Sequence, residues 1–195
     1  MHNSIKESLD SDKENNNNIW RDSICKDMKK INKAVEEYEG DPSDLVGYQE
    51  INGHMIFDVK IGENFRHKPR FVADDHKTKT PTSVTYRTVV ARDSVRIYMK
   101  ISDLNYLEVP AENVDNAFLT APFREKLWTQ TGTEFGITEG KVLIIKQSLY
   151  GLKSSGDAFS AFLSEKLYDI GFKNRIAEPD VWIRTATKPT GEKYL

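Results

Sequence analysis

The stretch "ENVDNAFLTAP", at residues 112–122, contains the side chains whose types and spacing suggest chemistry. An Asn, an Asp and a second Asn, at positions 113, 115 and 116, interrupt a short run of apolar residues. Burying polar side chains is costly unless they form hydrogen bonds or bind something. Mg²⁺ is bound by oxygen ligands, so these residues are either the remains of a metal site or the solvated face of a strand.

The spacing of these residues limits how far one could replace another as a metal ligand. On a strand Asn113 and Asp115 point to the same face, because successive side chains alternate. They would stand roughly 6 to 7 Å apart along the strand, at ~3.3 Å per residue. Asp115 is therefore too far along to replace a ligand at position 113 unless a bulge intervenes. A solvated strand residue is the favoured interpretation of Asp115.

A basic segment over residues 59–92 is the second feature that could bind a ligand. It holds 8 Lys/Arg and 3 Asp/Glu, whereas the whole chain has a net charge of −2. Such a segment is typical of a surface that binds phosphates, and also of a solvated charged hairpin. Charge by itself favours the hairpin.

Several classes of site and location are excluded by the sequence. Cys25 is the only cysteine, so a disulfide framework and a cysteine zinc cage are both excluded. The 4 histidines have no ligand spacing, and no phosphate-binding glycine loop or hydrolase serine motif occurs. No apolar run approaches the roughly 18 residues of a membrane span, and the N-terminus has no apolar centre. We expect an intracellular protein, cytoplasmic or nuclear, that is neither secreted nor bound in a membrane.

The elements that would position these residues begin with an N-terminal arm. Residues 1–18 are polar and end in four Asn, so we expect disorder. Residues 19–40 are expected to form one amphipathic helix, which packs on the domain or forms a short coiled coil, with packing favoured. Residues 41–53 are predicted to be a linker and residues 54–195 the main domain. The apolar stripe of the helix consists of Trp20, Ile24, Met28, Ile31, Val35 and Tyr38.

The main domain is predicted to be α+β, with helices packed on a mainly antiparallel sheet. Alternating apolar residues predict a hairpin near 54–74, with its turn running through "GENFRHKP", and one or two strands over 106–119. Other patterns predict a helix ending near residue 104, a buried strand at 141–151, and a helix that Gly171 closes. "DVWIRT" is predicted to be a strand, 188–192 a turn and "KYL" the start of a returning strand. An end inside a hairpin leads us to expect truncation.

Several of these stretches, in this order, resemble the reverse transcriptase of copia-type (Ty1/copia) retrotransposons. The best example is "KVLIIKQSLYGLKSSGDAFSAFLSEKLYDIGFKNRIAEPDVWIR", which has the "LYGLK" of that family, its helix ending in "GF" and its acidic-Pro-Asp segment. "RHKPRFVA" and the "AFL" of the opening stretch are similar to its fingers and palm motifs. The resemblance covers about residues 54–195 and leaves the N-terminal quarter unexplained.

The resemblance implies the fingers and part of the palm of a right-hand polymerase, incomplete at its C-terminus. It implies RNA-directed DNA polymerisation, a nucleotidyl transfer, in the intact polyprotein. The substrates would be deoxynucleotides and an RNA or DNA primer–template, with Mg²⁺ as cofactor, because two such ions stabilise the attacking and leaving oxygens. The remainder of such a polyprotein contains RNase H and integrase.

The first metal-binding Asp of the family falls on Asn113, whose amide brings no charge. Asp115 is only a weak substitute, and the Tyr-x-Asp-Asp motif that supplies the other two carboxylates is absent from the sequence. No family metal site is intact, so we expect this chain neither to bind Mg²⁺ nor to polymerise.

Other family positions are retained. The resemblance implies that Lys68 and Arg70 bind the triphosphate, with His67 and Arg66 extending the basic patch towards the template. It also implies that Asn116 and Ala117 offer backbone N–H groups to the triphosphate, and that the Phe118 ring excludes a 2′-hydroxyl. The loop residues that would contact template and nucleotide are Tyr150, Gly151 and Lys153.

Two alternatives remain open from the sequence. The chain could be a degenerate remnant that only binds nucleic acid or a protein partner, as the Asn at position 113 suggests. It could also be an α+β fragment without activity.

Overall fold

A computed structural model describes residues 4–63, 65–74, 89–187, 191, 193 and 194. The chain forms two compact units, the first of Met1–Thr85 and Asn116–Phe159, the second of Tyr86–Asp115 and Ser160–Leu195. Its mixture of helices and small sheets confirms the predicted α+β class. The helices are α1 Ile5–Glu14, α2 Ile19–Ile31, α3 Arg92–Leu104, α4 Ala117–Thr120 and α5 Ser155–Asp169. The strands are β1 Val35–Tyr38, β2 Gln49–Glu50, β3 Gly53–Lys60, β4 Arg66–Ala73, β5 Leu127–Gln130, β6 Val142–Ile145, β7 Lys173–Asn174, β8 Trp182–Ile183, β9 Ala186–Thr187 and β10 Lys193–Tyr194.

Within the described part of the N-terminal arm, Ile5–Glu14 form the helix α1, so the expected disorder is wrong for these residues. The Ser4 hydroxyl caps this helix by accepting from the Glu7 N–H at 3.2 Å. Asp12 is buried at the end of α1, and its carboxylate accepts from the N–H groups of Trp20 at 3.0 Å and Arg21 at 2.9 Å. These bonds satisfy amides at the start of α2, and so hold α1 and α2 together across the four asparagines at residues 15–18.

Helix α2 packs on the core, as its stripe predicts, and its buried residues are Trp20, Ile24, Met28 and Ile31. The predicted helix is wrong beyond Ile31, because the chain turns there and continues as β1, which contains Val35 and Tyr38. β1 pairs antiparallel with β6, whose hydrogen bonds stabilise an extended backbone that suits these residue types. The packed arrangement, rather than the coiled coil, is therefore the one that α2 adopts.

The four-stranded sheet of unit 1 has the order β1-β6-β5-β2, in which only β2 runs parallel to its neighbour. Strand β6 is almost fully buried, which confirms the predicted buried strand over Val142–Ile145 but not over residues 146–151, which follow it outside the strand. The expected linker over 41–53 contains a 3₁₀ turn at Pro42–Asp44, the strand β2 and the buried Ile51. It is therefore part of the sheet rather than a free connection.

Strands β3 and β4 form the predicted hairpin, which packs against α2. The inward residues Met55, Phe57, Phe71 and Ala73 are buried, because alternate side chains share one face of the pleat. Strand β4 begins at Arg66, inside the stretch expected to form the turn.

Unit 2 contains α3, most of α5 and two small hairpins. The helices α3 and α5 are confirmed, as is the glycine cap, because Gly171 has a φ of +87° and its N–H donates to the Tyr168 carbonyl. β8 confirms the "DVWIRT" strand in part, and β10 returns antiparallel to β9. The turn expected between them lies largely outside the described residues. No helix in the described part of the chain is long and apolar enough to cross a membrane.

The strands expected over residues 106–119 are wrong. Residues 107–114 have no regular secondary structure, and the helix α4 follows at Ala117. Pro110 offers no N–H to a ladder, and Asn116 adopts the left-handed conformation with φ 54° and ψ 38°, which ends any extended run. A strand holding Asn113 would be expected beside the one holding Trp182 and Ile183, and that expectation is wrong, because β8 pairs with β7 instead.

Candidate nucleotide-binding site

The "LYGLK" loop lies against the hairpin in unit 1. The Ala73 N–H donates to the Tyr150 carbonyl at 2.8 Å, which joins the end of β4 to the loop. Gly151 follows with a φ of +92°, and a Cβ there would stand 2.2 Å from the Ala73 carbonyl oxygen. Only glycine permits both this conformation and this approach, so Gly151 fixes the loop against β4.

The turn at Asn116 lies beside the same loop. The Phe118 ring is half-buried, with its centroid 5.4 Å from that of Tyr150 and 6.3 Å from that of Phe159. Leu119, which follows, is buried in the core. Aromatic rings at these separations attract each other, so they hold the turn next to the loop.

Helix α2 contacts the Asn116 turn through Lys30. The Lys30 ammonium donates to Oδ1 of Asn116 at 3.1 Å, and both residues belong to unit 1. The Asn116 side chain is thus held by a charged group while its backbone adopts a conformation that non-glycine residues rarely take.

Asp27, one turn earlier on α2, contacts the hairpin. Its Oδ2 accepts from the Phe71 N–H at 3.1 Å. Burial raises the pKa of the Asp27 carboxyl above its ordinary value, against the opposing effects of that N–H and of the charges of Lys30, Arg70 and Lys68. The carboxylate therefore interacts with positive charges from both α2 and β4. We call Lys30, Lys68 and Arg70 the basic cluster.

These contacts join the elements on which most of the predicted site residues lie. Lys68 and Arg70 lie on β4, and the sections at 116–118 and 150–151 are joined to it through Ala73, Tyr150 and α2. Lys153 follows in the same loop and is half-buried. Part of the basic segment, residues 75–88, lies outside the described residues.

Three further predicted residues are His67, Asn113 and Asp115. The His67 ring packs edge-on against Trp20, with a centroid separation of 4.4 Å, and its role in extending the basic patch stays a prediction. Asn113 and Asp115 belong to unit 2, and both are exposed.

Asp27 and Lys30 were missed by sequence reasoning. They lie on the polar side of α2, between buried residues, where charged side chains ordinarily only face solvent. Their spacing of three, which puts both on one side of the helix, is a signal that many solvated helices share.

A family model described as "Reverse transcriptase (RNA-dependent DNA polymerase)" matches residues 42–190. The chain belongs to the reverse transcriptase family. It is 27% identical over 153 residues to the truncated transposon Ty1-A Gag-Pol polyprotein of Saccharomyces cerevisiae, a match that covers 67% of this chain and 12% of that protein. No solved structure matches.

These matches confirm the copia-type reverse transcriptase resemblance. The matched region begins at residue 42, twelve residues before the start expected from the motifs, so it takes in the 3₁₀ turn and β2. Helices α1 and α2 and the strand β1 lie outside it. The chain spans only 12% of the length of its yeast relative.

Reverse transcriptases use divalent metal ions, and the described residues do not fit one. Asn113 Nδ2 donates to Asp115 Oδ1 at 3.3 Å, so the position predicted for the first metal ligand of the family offers an amide beside one exposed carboxylate. Within the described ranges, no group of three or more His, Cys, Asp or Glu could hold a metal ion.

Proposed function

We propose that this chain forms the nucleotide- and primer–template-binding part of a copia-type reverse transcriptase, and that it does not polymerise by itself. RNA-directed DNA synthesis would belong to the whole polyprotein, together with its RNase H and integrase. The observation that supports the proposal is that contacts within unit 1 join the β3–β4 hairpin, which carries the basic residues, and α2 to the Asn116 turn and the "LYGLK" loop.

The proposed role of the hairpin is to bind phosphates. Lys68 and Arg70 are two apart on β4, so their side chains leave the strand on the same face. Arg70 can bond two phosphate oxygens at once, and Lys68 supplies a compact charge. In this proposal the β3–β4 hairpin is the fingers element of a right-hand polymerase.

The Asn116 turn and the loop would bind the rest of the nucleotide. Asn116 and Ala117 would present backbone N–H groups to phosphate oxygens, and Phe118 would lie under the sugar. Phe118 is half-buried and supported by Tyr150 and Phe159, so its ring position is restrained, as exclusion of a 2′-hydroxyl requires. Tyr150, Gly151 and Lys153 would contact the template and the base pair.

Absence of polymerisation is proposed from the ligand chemistry. Nucleotidyl transfer at two Mg²⁺ ions requires several carboxylates, because they supply the negative charge that holds both ions. Position 113 has an amide, and the Tyr-x-Asp-Asp motif is not in the sequence. Asp115 by itself cannot supply this charge.

The test is the binding of a fluorescently labelled RNA–DNA primer–template by the full chain, followed by anisotropy at several salt concentrations. Lys68→Ala and Arg70→Ala should each weaken binding and lower the salt slope by about one for each phosphate that is no longer neutralised. Lys29→Ala removes a positive charge from an exposed position of α2 and serves as the matched control. Equal affinities for all four proteins would contradict the proposal.

The amide at position 113, where the resemblance predicts a carboxylate, favours a second candidate, a remnant that only binds nucleic acid or a protein partner. A nucleotide site should distinguish deoxynucleoside from ribonucleoside triphosphates through Phe118, whereas a general nucleic-acid surface should not. Competition of the labelled primer–template by the two triphosphates separates these functions. Equal competition in the chain and in Phe118→Ala would favour the remnant.

A further inference from the structure

We infer that helix α2, which lies outside the residues matched by the family, is part of the phosphate-binding site. In this inference Asp27 is an internal counter-ion that competes with a bound phosphate for Lys30, Lys68 and Arg70, and Lys30 is a positioning residue for Asn116. The inference rests on the proposed function, since it concerns the affinity and geometry of that same site.

The counter-ion role of Asp27 follows from its contacts. The carboxylate is anchored by the Phe71 N–H at 3.1 Å, so it stays beside β4 instead of swinging into solvent. Phe71 directly follows Arg70, which places the carboxylate at the strand position next to the predicted phosphate ligand. Charges of Lys30, Arg70 and Lys68 act on the carboxylate, and it is partly withdrawn from water, where screening is weaker.

A phosphate that binds this cluster must share its cations with Asp27. The group of one carboxylate and the three cations that act on it has a formal charge of +2, and without the carboxylate the charge would be +3. Neutralising Asp27 should therefore strengthen phosphate binding, in contrast to most substitutions in a site, which weaken it. Asparagine at this position can still accept from the Phe71 N–H, so the anchor to β4 is retained.

Lys30 also contacts the Asn116 turn. Its ammonium donates to Oδ1 of Asn116 at 3.1 Å, and Asn116 begins the turn that leads to Phe118. A left-handed backbone conformation at a non-glycine residue is unfavourable, so the turn needs contacts that hold it. Lys30 supplies such a contact from α2, and it brings a positive charge to the amides that would face the triphosphate.

The experiment measures displacement of the labelled primer–template by inorganic tripolyphosphate in the full chain. Asp27→Asn should bind tripolyphosphate about two- to fivefold more tightly, the effect of one partly exposed charge interaction. Asp22→Asn removes the same charge from an exposed position of the same helix, and it should change the affinity less. Lys30→Met should bind more weakly than Lys29→Met, and in Lys30→Met the preference for deoxynucleotides over ribonucleotides should also fall. Circular dichroism verifies folding of each variant.

The outcomes separate this inference from the proposed function. If Arg70→Ala weakens binding while Asp27→Asn and Asp22→Asn bind tripolyphosphate with the same affinity, the counter-ion role is overturned and the binding function stands. If Lys30→Met equals Lys29→Met in affinity and in deoxynucleotide preference, the positioning role is overturned. If the unaltered chain does not bind tripolyphosphate and Arg70→Ala has no effect, both fail.

Discussion

Lys30 and Asn116 are 86 residues apart in the chain, yet the Lys30 ammonium lies 3.1 Å from the Asn116 amide oxygen. The contact joins α2, near the N-terminus, to the turn at Asn116 in "ENVDNAFLTAP". The arm is thereby tied to the region that contains the reverse transcriptase motifs. Substitutions on either side of this contact can show how much the arm supports that region.

Asn116→Gly and Asn116→Val should affect stability differently. Glycine adopts a φ near 54° without strain, whereas a β-branched residue there is strongly disfavoured. We expect Asn116→Gly to unfold near the midpoint of the unaltered chain and Asn116→Val to lose about 1–3 kcal/mol. Urea denaturation followed by circular dichroism measures the difference. Equal midpoints for the two variants would mean that the turn is not left-handed.

Gly151→Ala and Gly156→Ala form a second matched pair. A Cβ at position 151 would meet the Ala73 carbonyl oxygen at 2.2 Å with a φ of +92°, whereas a Cβ at position 156 meets nothing within 4 Å. Gly151→Ala should therefore destabilise the chain by about 1–3 kcal/mol. Gly156→Ala, inside α5, should be neutral or stabilising by up to about 1 kcal/mol. Thermal and urea unfolding measure both, and a harmless Gly151→Ala would contradict the docking of the loop on β4.

Asp12→Ala should loosen the N-terminal arm. The buried carboxylate accepts from two amides at the start of α2, and loss of such a cap costs about 0.5–2 kcal/mol. Asp12→Asn retains one acceptor oxygen and should lose less stability, and urea unfolding measures both variants.

Limited proteolysis should leave residues 1–50 attached to the unaltered chain, because α2 packs on β4 and β1 pairs with β6. Early cleavage between residues 39 and 44 in the unaltered chain would instead support the free linker that the sequence predicts over residues 41–53.

The raised pKa of Asp27 predicts a pH dependence of stability. Between the ordinary carboxyl pKa of about 4 and the raised pKa, the folded chain binds more protons at Asp27 than the unfolded chain does. The free energy of unfolding should therefore fall as pH rises through this window. Asp27→Asn should remove this part of the fall, and Asp22→Asn should retain it. Urea unfolding at a series of pH values from acid to neutral measures the slopes, and equal slopes in the two variants would refute the prediction.

Asn113→Asp by itself should not give nucleotide incorporation. It restores one carboxylate, whereas the Tyr-x-Asp-Asp carboxylates remain absent from the sequence. A two-metal site then still lacks charge. The measurement is primer extension on an RNA template with Mg²⁺, comparing the chain, Asn113→Asp, the chain extended by a Tyr-x-Asp-Asp hairpin, and both changes together. Only the last should extend the primer, and extension by the hairpin form with Asn113 retained would identify Asp115 as a working ligand.

The sequence by itself determined the elements whose signals are local. Three- and four-residue spacing identified the buried side of α2 up to Ile31, and alternation identified the β3–β4 hairpin. Motif order identified the family over most of the chain, because the matched motifs are contiguous in sequence. Each of these signals is contained within a short window and requires no distant partner.

Only the tertiary structure decided the elements that depend on distant partners. Val35 and Tyr38 continue the helical spacing of α2, but pairing with β6, more than 100 residues later, makes them a strand. Residues 107–114 have apolar residues that suit a strand, yet none of the described strands bonds to them, and they are irregular. The charges of Asp27 and Lys30 resemble any solvated helix face until folding places β4 and Asn116 beside them. Their environment is set by packing between distant segments, which local periodicity does not contain.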